Sequence, residues 1–328
     1  MGCTASRRFS TLGWIENEDP REVFVSPEGR SAIELRGAMT AIVTPFCEDG
    51  SADAAALERI ARWQVEQGIH GLVPCGTTGE GATLTPEEQS QVVAAVVRGA
   101  NGRVPVVAGC GSNDTSRTVQ AARIAAEAGA DALLVVTPYY NKPNRSGMIA
   151  HFEAVSGATE LPVVVYNVPG RTGQNLGSEL TLRLAAIPGV IGVKEASADL
   201  EQIAEILAAR PAGFAVLSGD DALTLPTLAL GAEGVISVVS NEAPAEMSAL
   251  VSAALAGEMA RARELHYRLL PLMRANFVES NPVPVKTAMG WLGHCRPDLR
   301  PPLGPLGESS QPKLRAALKS AGLLRGEG

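Results

Sequence analysis

Lys194 closes the apolar run Val190-Ile191-Gly192-Val193, and a lysine at the end of such a run invites one chemistry in particular. Burying an ammonium costs free energy, which favours the neutral amine. A neutral amine is a nucleophile toward ketones and forms a Schiff base with them. The other lysines are Lys142, Lys286, Lys313 and Lys319, and the remaining basic residues are arginines. A salt bridge to Glu195 is the competing reading. Consecutive strand residues point to opposite faces, which disfavours that pairing. Lys286, in Pro282-Val283-Pro284-Val285-Lys286, is a weaker rival because it falls beyond the last strand candidate.

Other groups have the chemistry to serve such an amine. Tyr166 ends a second apolar run; a phenol can pass protons to and from a carbinolamine, or its ring can simply pack a strand end. Arg171 follows in a loop fixed by Pro169 and Gly170. A guanidinium there can grip a carboxylate with two parallel hydrogen bonds, or it is an ordinary surface arginine. Gly76-Thr77-Thr78-Gly79 offers backbone N–H groups and hydroxyls in a tight turn, which makes either a carboxylate cradle or a structural turn. It lacks the spacing of a phosphate-binding loop. Tyr139-Tyr140 reads as packing at a strand end or as an interface pair. Ser218-Gly219-Asp220-Asp221 reads as a helix cap with acids at the positive end of the helix dipole.

These groups all follow short apolar runs, and the runs recur. Strand candidates are 38–43, 71–74, 104–108, 132–136, 162–166, 190–194, 215–217 and 234–238, nearly continuously apolar as strands buried on both faces should be. Helix candidates alternate with them at 53–67, from Thr85 onward, and at 116–128, 147–158, 178–186, 199–209, 222–230 and 244–256. Thr85-Pro86-Glu87-Glu88 is a strong start signal, and Gly129 a left-handed stop. Eight strands each followed by a helix predict an α/β fold, a (β/α)₈ TIM barrel, with chemistry at the C-terminal strand ends. An open doubly wound sheet usually carries a glycine-rich turn after its first strand. Thr44-Pro45-Phe46 stands there instead. The reading divides the chain into a poorly ordered extension over 1–34, a barrel over 35–258, and a helical C-terminal region over 259–328 broken up by prolines.

Composition agrees with this. Hydrophobic residues are 45% of the 328 and aromatics only 4%, so the core must be aliphatic. The net charge of −7 argues against nucleic acid as a partner. No apolar run is long enough for a membrane span. The five cysteines (Cys3, Cys47, Cys75, Cys110, Cys295) form no C-x-x-C pair and the four histidines no metal-binding pair, so no disulfide framework and no metal is expected, and the compartment is read as the cytoplasm. Met1-Gly2-Cys3-Thr4-Ala5-Ser6 formally fits a myristoylation pattern, a short one that arises readily by chance.

Over about residues 36 to 324 the chain resembles the dihydrodipicolinate synthase family. The resemblance is carried by Gly37-x-x-Thr40-Ala41-x-Val43-Thr44-Pro45-Phe46, Gly76-Thr77-Thr78-Gly79-Glu80, Pro138-Tyr139-Tyr140-Asn141-Lys142-Pro143, Tyr166-Asn167-Val168-Pro169-Gly170-Arg171-Thr172-Gly173, Gly192-Val193-Lys194-Glu195-Ala196, Ser218-Gly219-Asp220-Asp221 and Asn281-Pro282-x-Pro284-Val285-Lys286. It implies condensation of pyruvate with L-aspartate 4-semialdehyde through a Schiff base on Lys194, in lysine and diaminopimelate biosynthesis. It also implies a proton relay of Tyr166, Thr77 and Tyr140, the last lent by a neighbouring subunit of a tight dimer, two of which make a tetramer. Thr78 and the backbone around Ile236 match positions that hold pyruvate, and Arg171 the residue that receives the semialdehyde carboxylate. No cofactor is implied.

The alternative within the superfamily is a pyruvate aldolase acting on a sugar acid or sialic acid; Arg171 after Tyr-Asn-Val-Pro favours the synthase. A barrel that binds pyruvate-like ligands without turnover is a further alternative, disfavoured by the intact set of Thr77, Tyr140, Tyr166, Arg171 and Lys194. A phosphate-binding barrel enzyme would need a cradle after the last strands, whereas Gly231-Ala232-Glu233-Gly234 precedes the eighth. Lysine-inhibited members often carry histidines or other polar ligands where Pro86 and Gln89 stand here, and an acid where Arg117 stands, while Asn113 and Tyr139 match. An arginine repels the ammonium end of lysine, so weak or absent feedback is expected.

Overall fold

The computed structural model describes residues 33–324. Eight parallel strands run β1 Gly37–Thr40, β2 Gly71–Leu72, β3 Val107–Gly109, β4 Ala132–Val136, β5 Val163–Asn167, β6 Val190–Glu195, β7 Ala215–Ser218 and β8 Gly234–Ser237. Each pairs with its sequence neighbour from β3 to β8, and β8 returns to β1 and β1 to β2. The remaining seam, β2 against β3, is joined by the bridge Leu72↔Val106. The sheet is therefore a closed TIM barrel.

A helix follows each strand: α1 Ala54–Glu66, α2 Pro86–Ala100, α3 Thr115–Glu127, α4 Arg145–Ser156, α5 Gly177–Leu184, α6 Leu200–Ala209, α7 Thr224–Ala229 and α8 Pro244–Leu255. Local chemistry fixes their starts. Thr85 and Glu88 form a reciprocal capping box at α2 with Pro86 in the first turn. Asp53, Asp114, Asn144 and Asp199 cap α1, α3, α4 and α6 through side-chain oxygens. Gly129, beyond α3, has φ +91°.

Alternation along each strand builds two cores. Met39, Val73, Val107, Leu134, Val164, Leu217 and Ile236 fill the barrel, while Leu72, Leu133, Val165, Val193 and Val216 face the helices. Each such buried side chain contributes roughly 1.5–3 kcal/mol.

Beyond the barrel helices come α9 Met259–Ala275, α10 Val283–Trp291 and α11 Gln311–Ser320. α9 packs on α8, and α10 is buried along most of its length, so this region returns to the barrel mouth. The first 32 residues, with Cys3 and the Met1–Ser6 pattern, lie outside the described residues. No helix among the described residues is long and apolar enough to cross a membrane.

Candidate active site

Lys194 and Tyr166 meet at the C-terminal end of the barrel. They are direct partners in the β5–β6 register, and the Lys194 Nζ lies 4.2 Å from the centroid of the Tyr166 ring. Both are buried. A register shift sets the pairing: Val163 pairs Val190 but Val164 pairs Gly192, so Ile191 is an extra residue in β6. In the unshifted register Tyr166 would face Val193. Glu195 points the other way. It accepts from Asn167 Nδ2 at 3.0 Å, Gln202 Nε2 at 3.1 Å and the Ser197 N–H at 2.7 Å. The competing Lys194–Glu195 salt bridge is therefore not made.

The loop after β2 carries Thr77, half-buried, and Thr78, buried. It is tightly specified. The Glu80 and Gly81 N–H groups donate back to the carbonyls of Thr77 and Gly76, both at 3.1 Å, and Thr44 Oγ1 donates to the Gly79 carbonyl at 2.6 Å. Cys75 and Glu80 bracket it at φ +57° and +53°, a strained region for residues with side chains. The Glu80 carboxylate accepts from Lys286 Nζ at 2.6 Å and from the Arg300 N–H at 3.0 Å. The Glu80 and Lys286 side chains are 1% and 0% exposed, and Nζ also sits 3.8 Å from the Phe46 ring centroid. Burial holds the Lys286 pKa below its ordinary value, with Glu80 opposing. Lys286 is thus held in a buried ion pair with Glu80.

Arg171 stands on the helical turn Pro169–Thr172 and donates from Nη2 to the Asn281 carbonyl at 3.1 Å. Ile236 is buried in β8. The turn after it is held by Asp221, whose Oδ2 accepts the N–H groups of Val238 and Val239 at 3.0 and 2.8 Å. Burial pushes the Asp221 pKa up to about 6, opposed by these bonds and one from Ser237. Only Asp220 acts as the expected helix cap, accepting from the Ala222 N–H. Tyr140 stands outside the buried group. It has φ +72° and is 88% exposed, an aromatic ring presented to solvent from strained backbone.

An amine buried against a tyrosine ring at the C-terminal end of a parallel barrel is an arrangement compatible with Schiff-base chemistry. The model of the dihydrodipicolinate synthetase family matches residues 34–321. The chain belongs to this family. A relative from Maridesulfovibrio salexigens, named 4-hydroxy-tetrahydrodipicolinate synthase, is 53% identical over 291 residues, covering 88% of this chain and 99% of its own. The solved chloride-inhibited dihydrodipicolinate synthase of Acinetobacter baumannii, complexed with pyruvate, matches with TM-score 0.87 and 42% identity over 89% of this chain and all of that one. A dihydrodipicolinate synthase variant described as the first monomeric one matches with TM-score 0.86 and 43% identity over 88% of this chain and 97% of its own.

Within this family frame, the structure brings together Lys194 with Tyr166, and Thr78 with Arg171 through Asn281. It leaves Tyr140 apart from them. Reasoning from strands alone gives Asn281, Glu80 and Asp221 no positional role. Asn281-Pro282-x-Pro284-Val285-Lys286 is the available signal, but its contacts lie 203 and 206 positions away in the chain. Among the described residues, no group of three or more His, Cys, Asp or Glu side chains is arranged to hold a metal ion.

Proposed function

We infer that this chain catalyses the condensation of pyruvate with L-aspartate 4-semialdehyde to 4-hydroxy-tetrahydrodipicolinate, in lysine and diaminopimelate biosynthesis. The observation that carries the reading is Lys194 facing Tyr166 inside a barrel whose family relatives are synthases of this name.

The Lys194 amine adds to the pyruvate ketone, and the carbinolamine loses water to give an imine. Loss of a methyl proton gives the enamine. Its carbon attacks the aldehyde of the semialdehyde, whose oxygen takes up a proton. The substrate's own amine then adds to the imine carbon, closes the ring and releases Lys194 as the free amine. The resemblance gives Tyr166 the movement of protons at the Lys194 nitrogen, and the packing of its ring against that nitrogen supports the assignment. Thr77 and Tyr140 complete the relay that the resemblance implies. Thr78 and the backbone around Ile236 hold the pyruvate carboxylate, and Arg171 receives that of the semialdehyde. No step calls for a metal or cofactor, because the enamine supplies the carbon nucleophile.

The exposed ring of Tyr140 supports a tight dimer in which each subunit lends this residue to the other, with two such dimers forming a tetramer. Because one family structure is of a monomeric variant, sedimentation velocity is the check on assembly. The cytoplasm is the compartment proposed, supported by free Cys47, Cys75, Cys110 and Cys295.

The test is turnover of pyruvate with a panel of aldehydes, including aspartate semialdehyde coupled to the next reductase and read as NADPH loss. Preference for the semialdehyde is expected. Preference for a sugar-acid aldehyde or an amino-sugar would move the chain to a sister aldolase.

A further inference from the structure

The Thr78 hydroxyl has one proton to give and two lone pairs to offer. Asn281 Nδ2 donates to Thr78 Oγ1 at 3.0 Å, and both residues are buried. The Thr78 proton is therefore not spent on Asn281 and remains for another acceptor. The Asn281 Oδ1 is buried without a partner. The reversed amide would satisfy that oxygen but strand the two-proton donor Nδ2 in its place, which costs more.

Asn281 is itself firmly held. Its carbonyl accepts from Arg171 Nη2, the Val283 N–H donates to the Ser280 carbonyl at 2.8 Å, and Lys286, one turn into α10, is paired with Glu80. Glu80 lies two residues beyond Thr78. The C-terminal segment and the Thr77–Thr78 loop are thus pinned together at Asn281–Thr78 and at Lys286–Glu80.

We propose that Asn281 is a positioning residue for the reaction: its amide fixes the Thr78 hydroxyl as a hydrogen-bond donor toward the carboxylate of pyruvate. The inference rests on the proposed function, since it is that reading which puts a carboxylate at Thr78. Asn281 links the two carboxylate receivers by different groups, its side chain to Thr78 and its backbone carbonyl to Arg171, so a side-chain substitution separates them.

The test uses the full chain, with two readouts: the pyruvate concentration that half-saturates trapping by borohydride, and the steady-state KM for each substrate. In Asn281→Asp the side chain only accepts, so the Thr78 proton turns to it. The half-saturating pyruvate concentration should rise about tenfold, the scale of one hydrogen bond to a charged group. The semialdehyde KM should hold, because the carbonyl facing Arg171 is retained. Thr78→Val should show a rise of similar size, and the double variant should be no worse than Thr78→Val alone. An effect of Asn281→Asp that is equal with Thr78 in place and with Thr78→Val would mean plain charge repulsion or a structural role and would overturn the proposal. So would an unchanged pyruvate response in a folded Asn281→Asp. If that variant does not fold, Asn281→Leu carries the same cycle: a pyruvate defect present with Thr78 and absent with Thr78→Val supports the proposal, and one present in both overturns it. A wild type that forms no pyruvate adduct overturns the function and this inference together. A wild type that forms the adduct while the variants respond alike overturns this inference alone.

Discussion

Lys194 and Tyr166 are cross-strand partners on β6 and β5, with the lysine nitrogen 4.2 Å from the centre of the tyrosine ring. The contact puts the tyrosine ring beside the amine at the C-terminal end of the barrel. Tyr166→Phe keeps the ring and removes the hydroxyl. It should lower kcat by about 10²–10⁴-fold, the range for losing a positioned acid–base group, with little change in melting temperature. Steady-state kinetics beside a thermal melt decide it; an unchanged kcat would leave Tyr166 as packing only.

The partnership depends on the extra residue Ile191, and Gly192 follows it where there is no room for a side chain. A Cβ on Gly192 would come within 2.7 Å of the Ala215 carbonyl oxygen. Gly192→Ala should push β6 from β7 and destabilise the protein by about 1–3 kcal/mol, as overpacking does. Because Lys194 is two residues further along, activity should fall more than the melting temperature alone accounts for. Denaturant unfolding and kcat on the same preparation are the check, and a variant with wild-type stability would contradict the tight fit.

Glu242 gives the clearest pH dependence. Burial raises its carboxyl well above the ordinary value, Asp221 adds to the rise, and the bond from Asn276 Nδ2 at 3.0 Å opposes it. The folded state therefore holds the proton when the unfolded chain has already lost it. Stability associated with Glu242 is present below the ordinary carboxylate pKa and is lost as pH rises from there toward the raised folded value. Glu242→Gln should thus match wild type near pH ~4 and become relatively more stable as pH is raised. Melting temperatures across that range test the sign; a variant that loses stability with rising pH would show Glu242 ionised and paired.

Arg117 is exposed in the first turn of α3, its backbone N–H capped by Asp114 at 3.1 Å, and Gln89 Nε2 is bonded to the Gly109 carbonyl at 3.2 Å. Neither offers an anion to the ammonium of lysine. Submillimolar lysine should leave the condensation rate unchanged in a steady-state assay, and clear inhibition would show that other residues form the effector site.

The barrel was legible because its strands are short apolar runs between capped helices. β4 coincides with the sequence expectation residue for residue, and α2 starts at the predicted Thr85 box. β2 and β3 are shorter than expected: β2 stops short of Pro74, and β3 begins beyond Pro105, both residues without an N–H for a ladder. The places of Lys194 and Tyr166 at neighbouring strand ends were legible because each closes an apolar run, and that of Arg171 because Pro169 and Gly170 mark the turn that follows. The Ile191 shift was not, because no apolar pattern marks which of two adjacent registers a parallel pair adopts. Asn281 and the Glu80–Lys286 pair were not either. Their partners are far away in sequence, and prolines at 282 and 284 read locally as a break rather than as the start of a buried helix.

The most direct test of the Schiff-base assignment is borohydride reduction in the presence of pyruvate, followed by mass analysis of the digested protein. The expected result is one pyruvyl adduct on the peptide holding Lys194, absent in Lys194→Ala. An adduct on Lys286 instead, or none with the folded wild type, would contradict it.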